Sequence, residues 1–208
     1  GNSLREDMFF PRLARGEVRG MLSVDENEKL VLLGGGKSVF SNMARLSAVM
    51  EAIASIQSDE RKFKLMVSLH PGDRLPFAVD SVGGKPLGAY EELSKESSIP
   101  FVILRDDPKA ENTEVLCGSG FVLSIMGHLN TGDIVVGADV VIAGLTGSTA
   151  IEAAAKRVPA ICLGGDVDFK KLQKETGSRV PEAVRLGVSS LCGMKEDLGL
   201  HLLNCIGG

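Results

Sequence analysis

The sequence predicts an α/β fold in which a doubly wound parallel sheet carries helices on both faces. Three observations lead there. Short apolar runs recur along the chain: Leu30-Val31-Leu32-Leu33, Phe63 to Leu69, Phe101-Val102-Ile103-Leu104, Asp139 to Ala143 and Ala160-Ile161-Cys162-Leu163. Runs this short, apolar without alternation, fit strands buried on both faces. Between several of them lie segments of helical periodicity, the pattern of βα units. Several runs also end in glycine turns, and 25 glycines against no Trp and one Tyr suit tight strand-to-helix connections rather than a base-stacking surface. The plan is Rossmann-like, and its ligands belong at the carboxyl ends of the strands.

Taken in order, Leu13, Arg12, Arg15, Glu17 and Arg19 suggest a short amphipathic helix before the first strand. Val39 to Ile56 is a long helical pattern, with Met43, Leu46, Val49, Met50, Ile53 and Ile56 on one stripe. The second strand stops at His70-Pro71-Gly72. Leu75 to Gly88 reads as loop, Tyr90 to Ser97 as a short helix, and Arg105 to Thr113 as loop. Glu114 to Met126 fits strand or helix equally. Ile134 to Gly137 closes a short helix, Gly144 to Ser148 is a turn, and Thr149 to Arg157 is an Ala-rich helix. After Asp166 the chain is more polar, and it looks helical near its end. At 208 residues this is one domain, with 1–27 as a lead-in segment and 166–208 as a helical tail.

Bulk properties exclude several functions. Net charge is −4 and no Lys/Arg run occurs, so nucleic acid is not an expected partner. No apolar stretch is as long as a bilayer span, and no signal-peptide pattern is visible at the start. Cys117, Cys162, Cys192 and Cys205 form no Cys-x-x-Cys pair, which points to free thiols in the cytoplasm. The three histidines, His70, His128 and His201, are scattered, so neither a metal nor a cofactor is expected.

Two turns carry phosphate-binding chemistry. Gly34-Gly35-Gly36-Lys37-Ser38 follows a strand and opens a helix, where glycine lets backbone amides approach an anion. It is not a nucleotide-hydrolase P-loop, because Val31 stands where the first Gly is required. It also fails G-x-G-x-x-G, because Val39 holds the last position. The second turn is Gly144-Leu145-Thr146-Gly147-Ser148-Thr149, with Glu152 one helical turn on. Each hydrogen bond to a charged group contributes roughly 1.5–3 kcal/mol, against about 0.3–2 kcal/mol from a helix terminus. Donors therefore decide affinity here. Glu152 has two readings: it accepts from two vicinal ribose hydroxyls, or it folds back on the Thr149 amide in a capping box. His70 has two as well: a donor to phosphate, or a turn residue beside Pro71.

Together these residues resemble the C-terminal, nucleotide-sugar-binding domain of GT-B glycosyltransferases, in the branch of lipid-A-disaccharide synthase and the undecaprenyl-linked N-acetylglucosaminyltransferase. The block Ala138 to Gly144, then Thr149-Ala150-Ile151-Glu152-Ala153-Ala154, then Val158-Pro159-Ala160-Ile161, carries the likeness. Gly1-Asn2-Ser3-Leu4 and Leu32 to Gly36 are similar to the segments that open that domain. Ser3 replaces a frequent Pro, and Arg157-Val158 replaces a common Gly-Lys or Gly-Leu. His70-Pro71 also resembles the His-Pro motif of transferases using CMP or CDP donors.

The resemblance implies one half of a GT-B fold that binds a nucleotide diphosphate sugar, with UDP favoured, and transfers the sugar without a metal. It implies diphosphate binding by Ser148 and Thr149 and ribose binding by Glu152, and the chemistry of the two turns adds Gly35, Gly36, Ser38, Gly144, Thr146 and Gly147 to the diphosphate set. Lys37 and His70 are the candidates to stabilise the leaving diphosphate. The acceptor falls to a separate N-terminal domain, so the isolated chain is expected to be inactive. The full enzyme is expected to lie at most peripherally on a membrane. Alternatives are a UDP-N-acetylglucosamine 2-epimerase-like enzyme, which shares the fold, and a non-catalytic nucleotide-binding module.

Overall fold

The computed structural model describes residues 10–34, 43–68, 81–82, 85–86, 95, 101–106, 112–117, 122–126, 131–146, 148–194 and 196–207. Helix α1 (Arg15–Met21) leads into β1 (Glu28–Gly34), and α2 (Met43–Ile56) leads into β2 (Lys62–Ser68). A two-residue hairpin, β3 (Ser81–Val82) and β4 (Lys85–Pro86), falls in the stretch expected to be loop. Next come β5 (Phe101–Asp106), β6 (Asn112–Cys117), β7 (Val122–Met126), α3 (Thr131–Val135) and β8 (Val140–Ala143). The chain continues through α4 (Thr149–Ala155), β9 (Ala160–Gly164), α5 (Asp166–Thr176), α6 (Glu182–Arg185), β10 (Ser190–Gly193) and α7 (Leu198–Ile206).

The main sheet runs β10-β9-β8-β1-β2-β5-β6-β7. Pairing is parallel from β10 through β5, and β6 and β7 add an antiparallel edge. The segment that fitted strand or helix equally is thus a hairpin, in keeping with its β-branched Val115, Val122 and Ile125. The segment after Asp166, expected to be a helical tail, also contains β10, whose short Ser-Leu-Cys-Gly run pairs with β9.

Both-sided burial explains the unbroken apolar runs. Leu30, Val31, Leu32 and Leu33 are at most 1 % exposed. Val31 and Leu33 face α2 and α7, in a core with Val49, Ile53 and Leu202. Leu30 and Leu32 face the other way, toward Val18 of α1, Ile134 of α3 and Ala153 of α4. Strands β8 and β9 divide in the same manner.

The amino end of the sheet is fastened by Asp139. One carboxylate oxygen accepts from the Leu30 amide at 2.7 Å and from Arg19 Nη1 at 3.0 Å. The other accepts from Arg15 Nη2 at 2.8 Å. The same arginines also donate to backbone carbonyls, Arg15 to Ala138 at 2.6 Å and Arg19 to Glu28 at 2.6 Å. This network holds α1 to the starts of β1 and β8, away from the carboxyl ends. Asp139→Ala would take the carboxylate from the half-buried Arg19 guanidinium and the exposed Arg15, and leave the Leu30 amide without its side-chain acceptor. It is expected to lower stability by about 2–4 kcal/mol, read as a lower urea midpoint with an unchanged slope.

Candidate functional site

Counting the parallel strands in chain order, β1, β2 and β5 are laid down to one side, and β8, β9 and β10 to the other. The direction reverses between β1 and β8. The helix following β1, α2, packs on one face of the sheet; the helix following β8, α4, packs on the opposite face. With those helices on opposite faces, ligands in sheets of this kind ordinarily bind beyond the strand ends at such a reversal.

Register places Gly34, where the first turn named from the sequence begins, beside the strand that leads into the second. Gly34 pairs with Ala143. A Cβ on Gly34 would lie 3.4 Å from the Thr149 methyl carbon, so the end of β1 touches the first residue of α4. Thr146 is exposed, and Ser148 and Thr149 are half-buried, so their hydroxyls are not sealed in the core. Leu145 is 7 % exposed and anchors the turn by packing over Gly164. Helix α4 spans only seven residues, which limits its dipole, so local donors remain the larger contribution.

Glu152 is buried, at 6 % exposure. The N-cap of α4 is Ser148, with no side-chain capping bond, so the box proposed for Thr149 and Glu152 is not formed. Instead the Ser148 hydroxyl donates to Glu152 Oε1 at 2.5 Å. The structure therefore brings Gly144, Thr146, Ser148, Thr149 and Glu152 together at the end of β8. Gly35, Gly36, Lys37, Ser38, His70 and Gly147 lie outside the described residues.

The sequence reading missed Arg45. It sits in the first turn of α2, is 3 % exposed, and pairs with Asp168 in the first turn of α5. The same Asp168 oxygen accepts from the Gly165 amide at 2.9 Å. This strap joins the helices that follow β1 and β9, on either side of β8. A signal was available: Arg45, Val49 and Ile53 share one face of a helix, so an arginine stood on a buried stripe.

Behind the turn lies a cavity of about 380 Å³, with Leu145, Ile151, Leu172 and Pro181 among its apolar walls and Thr146, Ser148, Glu175 and Glu182 among its polar ones. Cys162 also lines it. Burial raises the Cys162 thiol pKa, an effect the Ser189 hydrogen bond only partly offsets. Burial also raises Cys205, and together with the Glu196 and Asp197 carboxylates it pushes Cys192 up to about 11. None of these three thiols is activated as a nucleophile.

No family model and no curated protein matches the sequence. Solved structures do match. The chain is similar to WaaG, a glycosyltransferase involved in lipopolysaccharide biosynthesis, with a TM-score of 0.58 and 12 % identity over 99 % of this chain and 46 % of that one. A UDP-GlcNAc 2-epimerase from Methanocaldococcus jannaschii gives 0.43 and 18 %, over 92 % of this chain and 42 % of that one. ALG13 gives 0.40 and 14 %, over 84 % and 82 %. The chain spans under half the length of WaaG. The likeness is one of fold: Rossmann-like α/β, as in the GT-B type. Among the described residues, no helix is long and apolar enough to cross a membrane.

Two outcomes follow from the packing around the turn. A Cβ at Gly164 would fall 2.5 Å from Leu145 Cγ. Gly164→Ala is therefore expected to displace the 144–148 turn and lower thermal stability by about 1–3 kcal/mol. Because the folded Cys162 thiol ionises above its ordinary range, its contribution to stability is complete below that range and disappears as pH rises through the raised value. Melting temperature followed from neutral pH into the alkaline range should fall less steeply for Cys162→Ala than for the parent chain.

Proposed function

We propose that this chain is the donor-binding domain of a glycosyltransferase and holds a nucleotide diphosphate sugar, UDP-linked by preference, in the crevice between β1 and β8. The observation that carries the reading is the buried Glu152 carboxylate beside Ser148 and Thr149, at the strand end where sheet direction reverses. The WaaG-like fold supports it, since this chain matches somewhat less than half of that glycosyltransferase.

In this reading the hydroxyls of Thr146 and Thr149, the Ser148 amide and the first-turn amides of α4 donate to the diphosphate, while the Ser148 hydroxyl stays on Glu152. Those amides have no acceptor within the helix. Glu152 accepts from the ribose hydroxyls with the capacity that Ser148 leaves. As the sugar–oxygen bond breaks, negative charge grows on the departing phosphate oxygen, and fixed donors stabilise it without reorganising. Gly35, Gly36, Ser38, Gly144 and Gly147 give close backbone approach, and Lys37 and His70 supply positive charge. The acceptor and its general base belong to a companion domain, so the chain alone binds nucleotide without transferring sugar. Free thiols at Cys162, Cys192 and Cys205 suit a cytoplasmic setting.

The test is a thermal-shift series with UDP, CDP, GDP, ADP and TDP, repeated with 2′-deoxy-UDP. A diphosphate at about 100 times its dissociation constant should stabilise by roughly 2.7 kcal/mol. UDP should outperform its 2′-deoxy form in the parent chain and lose that advantage in Glu152→Gln. Thr149→Val should weaken every nucleotide alike. If no diphosphate raises the melting temperature, or Glu152→Gln still discriminates the two sugars, the assignment fails.

A further inference from the structure

We propose that Cys192, Glu196 and His201 form a binding site for a zinc-type divalent cation, separate from the nucleotide crevice. One ligand atom from each residue lies within 4.8 Å of the others, and among the described residues they form the one such mixed set. Cys192 ends the apolar part of β10, Glu196 lies in the following turn, and His201 is in the second turn of α7. The spacing Cys-x3-Glu-x4-His thus draws sulfur, oxygen and nitrogen donors from three consecutive pieces of local structure.

Several contacts hold the donors in place before any ion arrives. The Glu196 amide donates to the Gly193 carbonyl at 3.0 Å, closing the turn. Gly193 leaves room for the Glu196 carboxylate to fold back over the strand end, since a Cβ there would lie 3.1 Å from Glu196 Oε1. Asp197 Oδ1 accepts from the Leu200 amide at 3.0 Å, which fixes the start of α7 and with it His201. His201 Nε2 already stands 3.8 Å from Glu196 Oε2. Two such atoms on a tetrahedral zinc, each about 2.0–2.1 Å from it, would be roughly 3.4 Å apart.

The donor chemistry selects the ion. Thiolate, imidazole and carboxylate together suit zinc, whereas magnesium and calcium take oxygen sets. A thiolate and a carboxylate also neutralise a divalent charge, and the thiol proton leaves to solvent as the sulfur–metal bond forms. Three protein ligands leave the fourth position for water. A cavity of about 220 Å³, walled in part by Glu51 and Asp197, shares Glu196 with the set. Such an ion would bind edge strand β10 to α7, two strands away from β8.

The test uses the whole chain, stripped with a chelator and titrated with Co²⁺ as a spectroscopic probe, then with Zn²⁺. One ion per chain is expected, with thiolate-to-cobalt charge-transfer absorption and a raised melting temperature. Cys192→Ser should abolish the absorption, while Cys205→Ser and Glu51→Gln should keep it. His201→Gln and Glu196→Gln are less buried and safer for folding. Each should weaken Co²⁺ beyond the roughly 100-fold that outer-shell losses reach. Absence of the absorption, its survival in Cys192→Ser, or unchanged affinity in both His201→Gln and Glu196→Gln overturns the site. UDP binding by the same variants should be unaltered, so this proposal and the nucleotide assignment stand or fall separately.

Discussion

Parallel pairing of β1 with β8, from Val31 opposite Val140 to Gly34 opposite Ala143, is the constraint on which the rest depends. These two strands are distant in sequence, so their union sets the strand order on either side. Each is buried on both faces, and neither can slip by one residue without exchanging the side chains committed to opposite cores. The pairing fixes Gly34 against Thr149, and so sets the end of β1 against the start of α4. The sheet's polar groups divide accordingly. Asp139 and its arginines act at the amino end and hold the strands together. Hydroxyls and the Glu152 carboxylate gather at the carboxyl end, where α4 begins.

How much of this was legible in the sequence depended on whether the signal was local. Leu30 to Leu33, Val140 to Ala143 and Ala160 to Leu163 announced buried strands because a short continuous apolar run has few other stable uses. The β6–β7 hairpin was not legible, since Val115-Leu116 and Val122-Leu123 suit either period until a partner strand is known. β10 was hidden for a related reason: Ser190-Leu191-Cys192-Gly193 is too short and mixed to signal a strand without β9 beside it. Thr146, Ser148, Thr149 and Glu152 were grouped from the sequence, and the fold keeps them together at the end of β8. The choice between ribose acceptor and capping box was beyond spacing, because both place Glu152 in the first turn of α4.

Arg45 and His201 were overlooked for opposite reasons. Arg45 lay in plain view on a buried stripe, but its partner Asp168 is distant in sequence and only the fold brings them together. His201 looked isolated because histidines were weighed against histidines. In the proposed cation site its partners are a cysteine and a glutamate, and the turn after β10 brings them close. A reading that counted all ligand types over ten residues would have found the set.

Burial of Glu152 bears most directly on what the crevice holds. A carboxylate removed from water loses solvation that its partners must replace, and an ionised carboxylate has room for about four hydrogen bonds. Among the described residues, one donor reaches it, the Ser148 hydroxyl. Had Glu152 served the helix start, its carboxylate would meet a backbone amide there, and α4 carries no such bond. Had it served packing, Gln or an apolar residue would fill the space without the solvation cost. On the proposed reading, a vicinal diol would supply two neutral donors at adjacent positions, one helical turn from the amides assigned to the diphosphate.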